Sequence, residues 1–270
     1  MAQDPVVIVT GGVAGIGAAI VDQLLRENAR LVVVDLAEEP LRQRQATLGK
    51  DKFQYVIGDV SNDQVNSQAV ELAIKTWAKI DAVALNAGIM APIQRICDMA
   101  STEVTKIFNV NVVAHVSMLS AAIPHLRKSK GRVIFTSSDA GEQLRWKAWG
   151  AYGASKAAVN FFAQALTLEE PDITAIAVYP GIVNTPLVNK LIRGECEYDP
   201  KFSAASRDAL ADEIVPGMTA DELEEYIAYL RPRLVEPHQP GSVIAKLAVK
   251  ASPDLRGKIA FWDDVMFNMD

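Results

Sequence analysis

The chain has 270 residues, half of them hydrophobic, and a formal net charge of −6, enough length and apolar content to bury one sizeable core. The acidic balance, with no basic run, weighs against nucleic acid and anionic membrane surfaces as partners. The two cysteines, Cys97 and Cys196, form no CxxC and indicate neither a disulfide framework nor a zinc site; they suit a reducing compartment. The N-terminal "MAQDPVVIVTGG" lacks the basic start and long apolar core of a secretory signal. No run of ~18 apolar residues that would cross a bilayer is evident, so a cytoplasmic protein is expected.

Short β-branched runs alternate with helical patterns from the start. "PVVIVT", "ARLVVVD", "FQYVIGDV" and "DAVALNAG" read as strands. Between them lie the helical stretches "GIGAAIVDQLLREN", "EEPLRQRQATLG" and "NDQVNSQAVELAIKTWAK". A long helix is expected from Ser101 to Arg127, then the strand "GRVIFTSS", a helix around Tyr152, the strand "DITAIAVYPG" and a closing "GKIAFWDD". Strand–helix alternation with near-continuous apolar strands predicts an α/β fold whose parallel sheet is covered on both faces. Ligands of such sheets sit at the carboxyl ends of the strands. From Leu187 to about Pro240 the chain turns acidic and irregular with no clear strand, and this segment is expected to form a lid over the site.

Those strand ends carry the unusual residues. "TGGVAGIG", with Gly11, Gly15, Ile16 and Gly17, closes the first strand and opens the first helix, where glycines let a pyrophosphate approach free N–H groups. The second strand ends in Asp35-Leu36; a carboxylate there accepts both ribose hydroxyls of a dinucleotide, or merely caps the next helix. It would repel a 2′-phosphate, and Val13, Ala14, Leu36 and Ala37 offer no cation, so NAD(H) is favoured over NADP(H). Asp59-Val60 is placed to meet an adenine, and Asn86-Ala87-Gly88 forms a small-residue turn against which the cofactor can lie.

In "AYGASKAAVNFFAQAL", Tyr152 and Lys156 stand about one helical turn apart and project side by side. A nearby cation is expected to stabilise the phenolate, the positive nicotinamide of NAD+ adding to it, and together they would bring the tyrosine toward neutrality. Alone, the pair is equally an ordinary polar stripe on an amphipathic helix.

Taken with Asn111 in "FNVNVV", Ser137-Ser138, and "PGIVNTP" at 180–186, these motifs resemble the short-chain dehydrogenase/reductase family in its single-domain form. The resemblance is close from Val6 to about Leu187 and looser beyond. It implies a seven-stranded Rossmann sheet and a catalytic set of Asn111, Ser138, Tyr152 and Lys156. Ile182, Val183 and Thr185 would contact the nicotinamide carboxamide, and Asn111 would hold a water leading from Lys156 to solvent. Neighbours on a strand face opposite ways; Ser138, which opens "SDAG", fits the family pattern, with Ser137 as the alternative. The loop before Tyr152 is one residue longer than the family commonly shows.

More narrowly, "AYGASKAAVNFFAQALTLEEP" and "PGSVIAKLAVKASPDLRGKIAFWDD" look like a fungal branch similar to benzil reductases and, more distantly, sepiapterin reductases. That branch typically uses NADPH, against which Asp35 argues. "WDD" at 262–264 replaces the usual Asp-Gly-Gly of a region that often supports a tetramer. A homodimer through the long helix and the Tyr152 helix is therefore expected, with a homotetramer as the alternative. The substrate pocket should be lined by Met90, Leu144, Trp146, Trp149 and Leu187 beside Ser138 and Tyr152. Two tryptophans suggest an apolar or aromatic carbonyl compound or secondary alcohol, although either tryptophan would serve equally as core. No metal site is expected.

Overall fold

Valine and isoleucine fill both faces of the first strand, and a strand buried on both faces has to lie inside a covered parallel sheet. A computed structural model, describing residues 4–90, 92–186, 188–189 and 217–267, shows that sheet. Its strands are β1 (Val6–Thr10), β2 (Arg30–Asp35), β3 (Phe53–Ile57), β4 (Ala82–Leu85), β5 (Arg132–Thr136), β6 (Thr174–Tyr179) and β9 (Ile259–Phe261). They run parallel in the order β3-β2-β1-β4-β5-β6-β9. The order reverses between β1 and β4, which opens a crevice at the carboxyl ends of those strands.

The helices connecting them are α1 (Gly15–Arg26), α2 (Glu38–Leu48), α3 (Asp63–Trp77), α4 (Ser101–Phe108), α5 (Ala114–Ser129), α6 (Gly150–Glu169), α7 (Ala220–Leu230) and α8 (His238–Lys250). Alternate strand residues enter two separate cores. Val6 and Ile8 pack with Met118 and Leu126 of α5 and Val159 of α6. Val7 and Val9 pack with Ile20 and Leu24 of α1 and Ile244 of α8. Each such fully buried aliphatic side chain contributes ~1.5–3 kcal/mol relative to exposure.

Three expectations need correction. The long helix is not uniform: between α4 and α5 it widens into a π-helical turn at Asn109–Val113, a distortion that often accompanies function. By length and mean hydropathy, 1.5, the run Ser101–Ser129 also reaches the composition of a membrane span, contrary to the expectation that no such run exists. Its fully buried Ile107, Met118, Ala122 and Leu126 pack inside the molecule. Finally, the expected strandless lid contains β8 (Leu234–Val235), which pairs with β7 (Ile182–Val183) beside the site. Such short strands carry too little periodicity to be seen in sequence.

Helix α7 falls within the segment expected to form the lid. Thr219 caps it, its hydroxyl accepting from the Glu222 N–H while the Glu222 carboxylate accepts from the Thr219 N–H. Helix α8 starts within the expected lid boundary but packs as core on α1.

Candidate active site

Helix α1 begins at Gly15 with no side-chain cap on its first turn, leaving N–H groups open to an anion. Gly15 takes φ +52 and lies against Thr185; a Cβ there would meet the threonine methyl at 3.0 Å. Gly17 packs so closely that a Cβ would fall 1.7 Å from the Gly11 carbonyl oxygen. Asn86 stitches this turn to the neighbouring strands. Its amide donates to the Gly11 carbonyl (2.9 Å), and its Oδ1 accepts from the Thr136 hydroxyl (3.3 Å). The Thr10 hydroxyl accepts from the N–H groups of Asn86 and Ala87. The Asn-Ala-Gly turn is thus built into the glycine loop. The residues present fit a dinucleotide: an uncapped helix start behind glycines that admit no side chain.

Gly15, Ile16, Gly17, Asn86, Gly88, Met90, Tyr152, Lys156 and Thr185 line the resulting cleft. Asp35, which ends β2, and Leu36, Asp59 and Val60, which follow β2 and β3, lie outside its walls. The Asp35 carboxylate accepts from the Val13 N–H (3.0 Å) and the Leu36 N–H (2.8 Å), so it also fastens the glycine loop. Asp59 accepts from the Ser61 N–H in a local turn. Ile182 and Val183 line a second cavity instead of this cleft.

The two adjacent serines separate cleanly. Ser137 is buried and donates to Asn160 Oδ1 (2.6 Å). Ser138 faces the second cavity together with Tyr152. Lys156, 4 % exposed, donates through Nζ to the Thr136 carbonyl (2.9 Å), and Nζ lies 5.7 Å from the centre of the Tyr152 ring. Asn111 is fully buried in the π-helical turn. Its Oδ1 accepts from the Ile89 N–H, and its Nδ2 donates to the Ile89 carbonyl and to Ser155 Oγ. Ser155 in turn donates to the Tyr152 carbonyl. The Asn111 side chain is therefore committed to holding β4's exit loop against α6.

The phenol also departs from expectation. Burial pushes Tyr152 up to about 12, against the opposing pull of the neighbouring Ser138 hydroxyl, and Asp139 adds to the rise. Burial pushes Lys156 down to about 8. Removal from water disfavours both charged forms, and in the chain by itself it sets the direction of both shifts. Nearby His115 is driven down to about 3 by burial and then by the Lys156 charge. It stays neutral and adds no second cation beside the lysine.

The second cavity is lined by Met90, Leu144, Trp146 and Trp149, and by Tyr226, Tyr229 and Leu230 of α7, which periodicity alone would assign to the core. Leu187 lies outside the described residues. Trp149 stacks edge-on against Tyr152 (5.2 Å between ring centres) and against Tyr226 (5.8 Å). Trp146 packs on Tyr226 and Tyr229. Glu222 ties α7 to both neighbouring loops, accepting from Lys147 (2.6 Å) and from Arg95 (2.8 Å). Hydrogen bonds from Lys147, the Thr219 N–H and Arg95 hold its carboxyl at about 2. Among the described residues, only Met90 and Tyr152 line both the cleft and this cavity, so the phenol stands where the two spaces meet.

A family model described as short chain dehydrogenase matches residues 5–195. The chain belongs to the short-chain dehydrogenases. It is 36% identical over 265 residues to an uncharacterized oxidoreductase of Saccharomyces cerevisiae, covering 96% of each chain. The crystal structure of that yeast oxidoreductase matches with a TM-score of 0.84, at 34% identity and 98% coverage of both chains. A benzil reductase ((S)-benzoin forming) of the same yeast is 30% identical over 271 residues, with 96% of each covered. Short-chain dehydrogenases are oxidoreductases that bind a nicotinamide dinucleotide, and the uncapped glycine turn of this chain is built for one.

Proposed function

We propose that this short-chain dehydrogenase interconverts a secondary alcohol and a ketone on a small apolar or aromatic substrate, using NAD(H), within one Rossmann domain whose lid includes α7. The observation that carries the reading is Tyr152 at the junction of the dinucleotide cleft and the aromatic cavity, with Ser138 on one side and Lys156 on the other. Ser138 holds the substrate oxygen and steadies charge developing on it. In reduction, Tyr152 donates its proton to that oxygen; in oxidation it takes the alcohol proton. When bound, the dinucleotide accepts or supplies the hydride. Lys156, still cationic at neutral pH, steadies the phenolate left by donation and reaches the nicotinamide ribose.

Asp35 carries the cofactor preference. Both its oxygens already accept backbone N–H bonds on this loop, so a 2′-phosphate would meet a fixed negative charge. Titrating the four tryptophans' fluorescence should show NADH binding at least ~10-fold more tightly than NADPH, about 1.4 kcal/mol, with Asp35→Ser closing the gap. Equal or tighter NADPH binding would favour a second reading, an NADPH-dependent diketone reductase, which the likeness to benzil reductase supports.

The solvent faces of α5 and α6 and the turn before α5 leave Val113, Val116, Phe161 and Phe162 exposed, Phe161 by 69%. Such a patch suits a homodimer in which these helices meet those of a second copy. Light scattering after size exclusion should show wild type at twice the monomer mass and Phe161→Glu shifted to monomer. A monomeric wild type at micromolar concentration would exclude the dimer. A cytoplasmic location agrees with the sparse cysteines and acidic charge.

A further inference from the structure

Three phenols line the aromatic cavity, those of Tyr152, Tyr226 and Tyr229, yet the reaction needs one. Tyr226, on lid helix α7, is 6% exposed. Its ring is fixed by Trp146 (5.1 Å) and Trp149 (5.8 Å). Tyr152 packs edge-on against that same Trp149, so one indole separates the two tyrosines. The neighbouring Tyr152, Tyr229 and Asp139 groups act on the Tyr226 phenol, which burial keeps protonated. It therefore remains a donor throughout the neutral range. The cavity's charged groups already bind one another: Arg145 donates to Asp139 (3.0 Å) and to the Tyr229 hydroxyl (3.3 Å). The Glu222 ties to Arg95 and Lys147 hold α7 in place one turn before Tyr226.

We infer that Tyr226 is a specificity-determining residue: its hydroxyl donates to a second oxygen of the substrate, on the carbon beside the reacting one, while Ser138 and Tyr152 hold the first. The inference rests on the reading of this cavity as the ketone and alcohol site. It narrows the substrate to an aryl compound with adjacent oxygens, a 1,2-diketone or α-hydroxyketone. The cavity volume, ≈ 160 Å³, is on the scale of a void that accepts one benzene ring, about 150 Å³. The oxygens lie at its Ser138 end, with the ring between Leu144 and the tryptophans.

The test compares 1-phenylpropane-1,2-dione with 1-phenylpropan-1-one, which share a skeleton and differ by one oxygen. An adjacent carbonyl activates the reacting one chemically, so the readout is the change each substrate suffers in Tyr226→Phe, a variant that keeps the ring and its packing. Loss of a directed hydrogen bond should raise KM and lower kcat/KM for the dione by ~10-fold. The monoketone should stay within ~2-fold. A parallel loss on both substrates, or none on the dione, overturns the role of Tyr226 and leaves the ketone reductase reading standing. If wild type reduces neither compound with either dinucleotide, the reductase reading itself fails and this inference falls with it.

Discussion

Tyr152→Phe should lower turnover by ~10²–10⁴-fold while dinucleotide binding stays within a few-fold of wild type. The substitution removes one oxygen and keeps the ring that packs 5.2 Å from Trp149, so the unfolding midpoint should barely move. The expected loss is large because the phenol is the only titratable side chain lining both the dinucleotide cleft and the aromatic cavity among the described residues. Burial holds it near 12 in the chain alone, so at neutral pH it carries the proton that ketone reduction consumes. Alcohol oxidation needs the phenolate, and its rate should rise with pH until the phenol is ionised; ketone reduction should lose rate over that range. Comparing NADH oxidation rates, NADH affinity and both pH profiles separates a proton donor from a structural tyrosine. Turnover within a few-fold of wild type would sink the acid–base role. Wild type and variant equally inert across a broad carbonyl panel, with NADH still bound, would point to a dinucleotide sensor instead of an enzyme.

Gly17→Ala is the second large effect, and it acts through space. A methyl at this position would lie 1.7 Å from the Gly11 carbonyl oxygen and 2.7 Å from Asn86 Nδ2. The nearer atom is backbone at the end of β1, and the further one belongs to the side chain that joins β1, β4 and β5. Neither can retreat alone. The loop must open, breaking the Asn86–Gly11 bond, for a destabilisation of about 3 kcal/mol. The same movement displaces the first-turn N–H groups from their anion-binding position, so NADH affinity should fall by at least ~100-fold, roughly 2.7 kcal/mol. Chemical unfolding and a NADH titration check the two effects independently. Normal stability with normal binding would mean that the loop is far softer than its contacts imply.

Much of this architecture is legible without the structure, for a local reason. Strands buried on both faces must be apolar at every position, so Val6–Val9 and Leu31–Val34 stand out as runs. Glycines at the β1–α1 turn and Asp35 at the end of β2 mark strand ends, where a doubly wound sheet collects its ligands. Tyr152 and Lys156 share a helix, so their neighbourhood follows from spacing alone. The π-helical turn at Asn109–Val113 and the β7–β8 pair were not legible, because each is a few residues long and is set by partners distant in the chain.

The sequence by itself therefore determined the order of the seven main-sheet strands, the glycine turn and Asp35 at their carboxyl ends, and the closeness of Tyr152 and Lys156 on one helix. These depend on periodicity, or on residues one helical turn apart. Tertiary structure alone decided which serine faces the cavity: Asn160, far along α6, captures Ser137 and leaves Ser138 at the site. It committed the Asn111 amide to Ile89 and Ser155. It brought Tyr226 and Tyr229 from a distant helix to close the aromatic cavity. It also reversed the expected direction of the Tyr152 shift in the chain alone, because desolvation depends on everything packed around the phenol and not on its nearest cation.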